Sequence, residues 1–485
     1  MQSTSSSVER SSWIPAILAF VIATLPGCSL TPSYDRPDLP LPLLTGSASI
    51  DGDGPKLATL LSEEETDLLD GLDGSGQLKR LAMRALLHNR DYAIALLRVE
   101  QARAEFGVGK ADRFPTIQAT GQLERQQFND RKLNEVYGQR YAAAGIGVGE
   151  FELDFFERVK ALSEVSRHQY LATELGQHAT RKALIAEVAQ RYLLMRAASS
   201  RHESAKALLS HRQKQLLLAQ RQVEAGEISR EDLQAVGAAA AQAEQQAREA
   251  ELQLAKASNA LEQETGYEVP VQAHGYRQIA EDEPGNIGWL SNLSSSQLLE
   301  RFDVQAAEEQ LKASNASIGA ARAAFFPSIT LSTSAGIASE HLHDLFSNGT
   351  GTWLFAPQIN IPLFDGGRNQ ANLDIANARK QISVANYEKT IQSAFRDMVD
   401  GLSERETLLL RIRSQSVLNQ LAQEQASRRQ EQAHRGDASQ LDALASQIQA
   451  VQTEQALVET RLAIQLNILT LYRVLYGADA SAIPS

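Results

Sequence analysis

The sequence predicts an α+β protein with two kinds of part: pairs of very long helices in coiled-coil contact, and β-strands that cannot complete a sheet within one chain. Three observations predict it. Only 6% of the 485 residues are aromatic while Ala and Gln abound, a composition of helices packed on one another rather than of one large globular core. One pattern of elements occurs twice. Each copy brings two strands, so the chain holds four, and a closed membrane barrel needs about eight.

The N-terminus reads as a leader. The apolar run "WIPAILAFVIATL" has 13 residues, too few for a bilayer-spanning helix of roughly 20 and suited to the core of a secretory signal. Arg10 is the only basic residue ahead of it, beside Glu9. Cys28 is the only cysteine, which excludes an internal disulfide and a cysteine metal cluster. "LPGC" resembles a bacterial lipobox, with Pro26 where a small residue is usual. Residues 1–27 are therefore expected to be a lipoprotein signal peptide, removed as Cys28 receives a covalent lipid. Ser29 after the cysteine is compatible with the outer membrane. Residues 28–77, crowded with prolines near their start, are expected to form an acylated, extended segment.

The repeat follows. "DYAIALLRVEQARAEFGVGKADRFPTI" (residues 91–117) and "DVQAAEEQLKASNASIGAARAAFFPSI" (303–329) align without a gap at an offset of 212. Each is a helical stretch stopped by Phe-Pro, since proline removes an N–H and restricts the residue before it. Alternation comes next, the period-two signature of a strand. Ile329, Leu331, Thr333, Ala335 and Ile337 share one face in the second copy; Ile117, Ala119, Gly121 and Leu123 do so in the first. A polar loop and a return strand follow each. "TWLFAPQINIPLFD" puts Trp353, Phe355, Ile359, Ile361 and Leu363 on one face, whereas residues 141–156 alternate poorly and Gly145, Gly147 and Gly149 suggest a bulge or bend. Helices of about 1.5 Å per residue then run from Arg158 to Gly226 and from Arg368 to Gly436, roughly 100 Å each. Glycine turns reverse them. Leu209, Leu216 and Val223 on one outgoing helix, and Leu444, Ile448, Val451, Val458, Leu462, Leu469, Tyr472 and Tyr476 on one return helix, form coiled-coil stripes. The first repeat thus occupies residues 78–279, a linker "AEDEPGNIGWL" 280–290, the second repeat 291–477 and a C-terminal tail 478–485.

Strands of this length suit a tilted span of an outer membrane, with apolar faces to lipid and polar faces to a lumen. Open edges in lipid would leave backbone groups unpaired at several kcal/mol each. A membrane-spanning sheet must therefore be shared between protomers: two chains would bring eight strands and three would bring twelve, which could leave a channel. The alternative is a lipid-anchored periplasmic coiled-coil scaffold that spans no membrane.

With "GCSLTPSYDRP", "ELDFFERV", "LLERFDVQAAE", "GAARAAFFPSITL" and "PLFDGGR" in this order, the chain resembles the TolC-type outer-membrane efflux channels, specifically the NodT-like lipoprotein branch of multidrug efflux. The likeness covers nearly all of the chain after Cys28. "LLERFDV" lacks the Pro usual before its Asp, and Glu157 stands where Gly is common. The resemblance implies a homotrimer with a twelve-strand transmembrane β-barrel on a long α-helical coiled-coil barrel. It also implies a periplasmic adaptor (membrane fusion) protein and an inner-membrane efflux pump as partners. The channel itself would be a passive exit duct in outer-membrane lipid.

Candidate chemistry is sparse. The turns "GEISRED" and "GDASQLD" share Gly-x-x-Ser-x-x-Asp at Gly226, Ser229, Asp232 and at Gly436, Ser439, Asp442. Each Ser should cap its return helix and each Asp should bond back, as in a capping box. The resemblance adds a pore role, in which tip aspartates ring a gate; Asp442 matches such a position, while Ala433 and Ala445 fall where polar gating residues are common. His341 and His343 read as a solvated loop rather than a metal site. "GIGVG" (residues 145–149) lies in a strand and reads poorly as a nucleotide loop. A net charge of −12 without a basic stripe disfavours nucleic acid. No catalytic constellation is visible, and no cofactor is expected beyond the lipid on Cys28.

Overall fold

The computed structural model describes residues 30–37, 60–137, 139–266 and 295–475. The chain divides into two units, residues 1–46 and 47–485. In the first, residues 30–37 are exposed and form neither helix nor strand. Cys28, the signal 1–27, the linker 280–290, Tyr476 and the tail 478–485 lie outside the described residues.

The second unit opens with a helical hairpin, α1 (Glu63–Leu72) and α2 (Gln77–His88). This corrects the expectation of an extended segment up to residue 77. Ser62 and Glu65 cap α1 reciprocally, each accepting the other's backbone N–H. Leu69, Leu72, Leu78 and Leu81 bury the hairpin's apolar side. The first repeat continues as α3 (Arg90–Ala111), β1 (Ile117–Gln126), a short α4 (Arg131–Tyr137) in the loop, β2 (Gln139–Glu152), α5 (Arg158–Glu224) and α6 (Arg230–Thr265). After a 3₁₀ turn, Ser295–Glu300, the second repeat runs α7 (Phe302–Ala323), β3 (Ser328–Ser339), β4 (Gly351–Asn360), α8 (Arg368–Arg435) and α9 (Gln440–Leu475).

The long helices have 67 and 68 residues, which at ~1.5 Å per residue makes each ~100 Å long. Their starts differ instructively. Gly367 caps α8 at φ 88°, the left-handed region open to glycine, while Glu157 adopts φ 58° before α5. A side chain in that region costs roughly 1–2 kcal/mol. Lys160 Nζ holds the Glu157 carboxylate at 2.7 Å, and Asp154 accepts the N–H groups of Val159 and Lys160 at 3.1 and 2.7 Å. At the start of α7, Phe302 stacks on His178 of α5 with centroids 5.0 Å apart, and Lys182 Nζ lies 4.7 Å from its ring.

The main core lies partway along α5. Ile185, Val188 and Leu193 meet the α1–α2 hairpin, Leu261 of α6 and Leu462, Ile468 and Tyr472 of α9. Farther along, where α5 pairs with α6, Leu209, Leu216 and Val223 are only half-buried. Two ion pairs fasten the hairpin to α5. Arg181 donates to Glu65 Oε1 at 3.1 Å and Oε2 at 2.8 Å. Asp73 Oδ1 lies 3.6 Å from Arg196, with both residues buried.

The four strands form one antiparallel sheet in the order β1-β2-β3-β4. It ends on the helical side with a stacked Phe156–Phe326 pair, centroids 4.8 Å apart, joining the two repeats.

Candidate functional site

The register assembles the alternating residues into two faces. Ile117, Ala119, Gly121 and Leu123 of β1 stand opposite Val148, Ile146, Ala144 and Ala142 of β2. These in turn oppose Thr333, Ala335, Ile337 and Ser339 of β3. Ile329, Leu331, Thr333 and Ala335 oppose Ile359, Pro357, Phe355 and Trp353 of β4. One face of the whole sheet is therefore predominantly apolar, and it is open: Ile117, Leu123, Ile146, Trp353, Phe355 and Ile359 are all exposed. The other face carries Gln118, Thr120, Gln122 and Glu124, then small residues, then Ser328, Thr330, Ser332 and Ser334.

The poor alternation of β2 has a physical reason. Its glycines lie on the polar face, where β3 comes close. A Cβ on Gly145 would stand 2.9 Å from Ala335 O, and a Cβ on Gly147 would collide with Thr333 O and Ser334. The ladder shifts register between Val148 and Phe151, so the expected bulge is present beside Gly149. β2 ends at Glu152 and β4 at Asn360, earlier than the return strands expected over residues 141–156 and 352–365. Arg158 reaches back to the Glu152 carboxylate at this end.

The outer edges of the sheet, β1 and β4, have no partner among the described residues. Both are 10 residues long. Because successive strands are antiparallel, β4 of one copy can lie antiparallel to β1 of the next.

At the far ends of the long helices the two tips share one backbone solution. Gly226 and Gly436 adopt φ 75° and 82°. Glu227 N–H donates to Gln222 O and Asp437 N–H to Gln432 O, each at 2.8 Å, while Gly226 and Gly436 donate to Val223 O and Ala433 O at 3.0 and 3.2 Å. This pair of bonds is the Schellman closure of a helix C-terminus. Ser229 Oγ accepts from Asp232 N–H, and Ser439 Oγ from Asp442 N–H, both at 3.0 Å.

The aspartates then part company. Asp232 Oδ2 accepts from Ser229 N–H at 3.1 Å and from Ser229 Oγ at 2.7 Å, bonds that hold its carboxyl below the ordinary value. Asp442 makes no such return bond among the described residues, which corrects the expectation of two complete capping boxes. The return bond is usually made by the longer Glu or Gln; Asp reaches only where the local turn brings it close. The Asp442 carboxylate is left exposed at its tip.

His341 and His343 flank and enter a 3₁₀ turn, Leu342–Asp344, in the loop between β3 and β4. His343 Nε2 lies 3.1 Å from Asp344 Oδ2 in solvent. Among the described residues no group of three or more His, Cys, Asp or Glu could hold a metal ion, and no helix is long and apolar enough to cross a membrane.

Helix–strand–strand–helix–helix in duplicate, with an open-edged sheet and long paired helices, defines a channel subunit. The family model "outer membrane efflux protein" matches residues 81–267 and 293–476, and the chain belongs to that family. The solvent efflux pump outer membrane protein SrpC of Pseudomonas putida is 37% identical over 409 residues, which cover 82% of this chain and 84% of SrpC. The cation efflux system protein CusC of Escherichia coli (strain K12) is 35% identical over 402 residues, 81% of this chain and 84% of CusC. A crystal structure of CusC matches with a TM-score of 0.73 at 33% identity, covering 93% of this chain and all of that one. The protein is thus the outer-membrane channel component of an efflux system, a passive exit duct, rather than a scaffold that spans no membrane. It is a transport protein by family, and it works with further components of its pump.

Proposed function

We propose that three copies of the chain close a twelve-strand barrel and continue it as an α-helical barrel. A lipid on Cys28 adds an anchor in the outer membrane, and the tips meet a periplasmic adaptor fed by an inner-membrane pump. The observation that carries this reading is the four-stranded sheet with two unpaired edges of equal length and one open apolar face. Unpaired N–H and C=O groups in hydrocarbon cost several kcal/mol each, so the edges require partners. The helices support the same reading: α8 exposes Ile382, Leu410, Val417, Leu418 and Leu421, a run that no helix among the described residues covers and a neighbouring copy would.

The duct carries no chemistry of its own and no cofactor; the pump supplies energy and selects the cargo. Relatives are named for solvents, for toluene, for antibiotics and for cations, and the scaffold accommodates small molecules of all these classes. At the tips, Asp232 serves the helix cap, while the uncommitted Asp442 carboxylates of three copies ring the pore and favour cations. Planar bilayers test both levels. The purified protein should give discrete single-channel steps. Asp442→Asn should lower cation selectivity with the oligomer intact, while Asp232→Asn acts mainly on the cap. Absence of conductance would count against the duct; unchanged selectivity in Asp442→Asn would leave that residue no pore role.

A further inference from the structure

At the end remote from the long helices, the apolar face of the sheet finishes in a pair of like charges. Arg125 of β1 and Arg140 of β2 stand directly opposite each other in the ladder. Successive side chains alternate between faces, so both arginines lie on the face of Leu123 and Ala142, one step farther out. Both are exposed. Directly opposed like charges destabilise a strand pair, and the chain does not relieve these: among the described residues neither guanidinium has an ion-pair or hydrogen-bond partner. The carboxylates at this end are placed or engaged elsewhere. Glu124, opposite Tyr141, is on the other face and accepts from Gln122 Nε2 at 3.4 Å. Asp130 Oδ1 accepts the N–H groups of Lys132 and Leu133 at 2.8 and 3.1 Å. Glu135 pairs with Arg131 at 3.3 Å and Asp344 with His343 at 3.1 Å, while Glu340 lies beyond the end of β3. A neighbouring copy adds no counter-charge. Residues 345–360, which hold the β4 that meets β1 in the trimer and the turn before it, contain no Asp or Glu.

Height places the pair. On β2 the apolar face advances about ten residues from Phe151 to Arg140 once the bulge is allowed for, which at ~3.3 Å each and a tilt of ~40° is ~25 Å. A transmembrane barrel's apolar band has about that height. The arginines thus stand where hydrocarbon gives way to headgroups on the outward side, and their long stems carry the guanidinium groups to that level.

We propose that Arg125 and Arg140 together bind a phosphate group on the headgroup of an outward-leaflet glycolipid, one headgroup per chain. Opposed Cβ atoms in an antiparallel ladder lie ~5 Å apart, which lets two planar guanidinium forks converge on one tetrahedral anion. The phosphate supplies the negative charge that the strand pair lacks. A lipid is the occupant, rather than free phosphate, because the apolar face continues directly beneath the pair: Leu123, Ile146 and Ile117 are exposed there and would lie along the acyl chains. The site rests on the reading of the sheet as the membrane-spanning part.

Lipid titration followed by native mass spectrometry tests it. The mature oligomer, in mild detergent with EDTA to remove bridging divalent cations, is titrated with diphosphoryl lipid A and with its dephosphorylated form. The parent should take up one phosphorylated lipid per chain and hold the dephosphorylated form about tenfold more weakly. R125Q and R140Q should each weaken binding, and the double substitution should abolish the preference between the two lipids. R131Q, on the exposed α4, should bind as the parent does. Millimolar inorganic phosphate should leave the lipid in place; displacement by it would overturn the lipid as occupant. Equal binding of the two lipids by the parent, or an unchanged preference in R125Q/R140Q, would overturn the site while the oligomer in the same spectra stands. A chain that forms no oligomer would overturn the spanning sheet and the site with it.

Discussion

Replacing Arg196 with alanine is expected to cost about 3–5 kcal/mol of folding stability, because it leaves a buried carboxylate without its counter-charge. Asp73 is 2% exposed and Arg196 7%. The Asp73 carboxylate also accepts from Ser75 Oγ at 2.7 Å and from Leu78 N–H at 3.1 Å, so it fixes the start of α2 as well as docking the hairpin on α5. The shift should appear in urea unfolding in mild detergent, and the Asp73→Ala/Arg196→Ala pair should lose less than the sum of the single changes. The pH dependence has a definite sign. Burial raises the Asp73 carboxyl, but the Ser75 and Leu78 hydrogen bonds and Arg196 outweigh it and bring it below its ordinary 3.8. A carboxyl depressed in the folded state contributes stability above the unfolded value and loses it as pH falls through the folded one. The gap between the parent and Arg196→Ala should therefore be full above about pH 4 and narrow below it.

Leu331→Arg is expected to block membrane assembly. Leu331 lies on the apolar face, between Phe151 of β2 and Pro357 of β4. An arginine on the lipid face of a barrel costs about 2–4 kcal/mol near the midplane, and in the proposed trimer every copy incurs it. Ser332→Arg, one residue along and on the polar face opposite Ala356, is the matched control and should assemble. Heat-modifiable oligomer in outer-membrane fractions measures both. Equal yields from the two variants would mean that the faces are wrongly assigned.

What could be read from the sequence follows from local rules. Phe114-Pro115 and Phe326-Pro327 stop helices wherever they occur, and Gly226 and Gly436 supply the left-handed turn that a helix reversal needs. The period of two in β1, β3 and β4 was legible because each strand has one apolar face. β2 was not, since Gly145 and Gly147 are placed by the close approach of β3, a partner nearly 200 residues away. The α1–α2 hairpin was missed for the same reason. Its hydrophobic side and the charges of Glu65 and Asp73 make sense only against Ile185, Arg181 and Arg196 on α5. At the tips, spacing alone made Asp232 and Asp442 look alike; side-chain reach separated them. The polar loop after β1 concealed the short helix Arg131–Tyr137, which buries none of its residues and so leaves no hydrophobic period.

The requirement that the sheet be closed by other copies is tested most directly by native mass spectrometry of the protein released from outer membranes in mild detergent. The expected result is a species of three chains, each heavier than the peptide from Cys28 onward by its lipid. A monomer or a dimer that retains full single-channel conductance would contradict it.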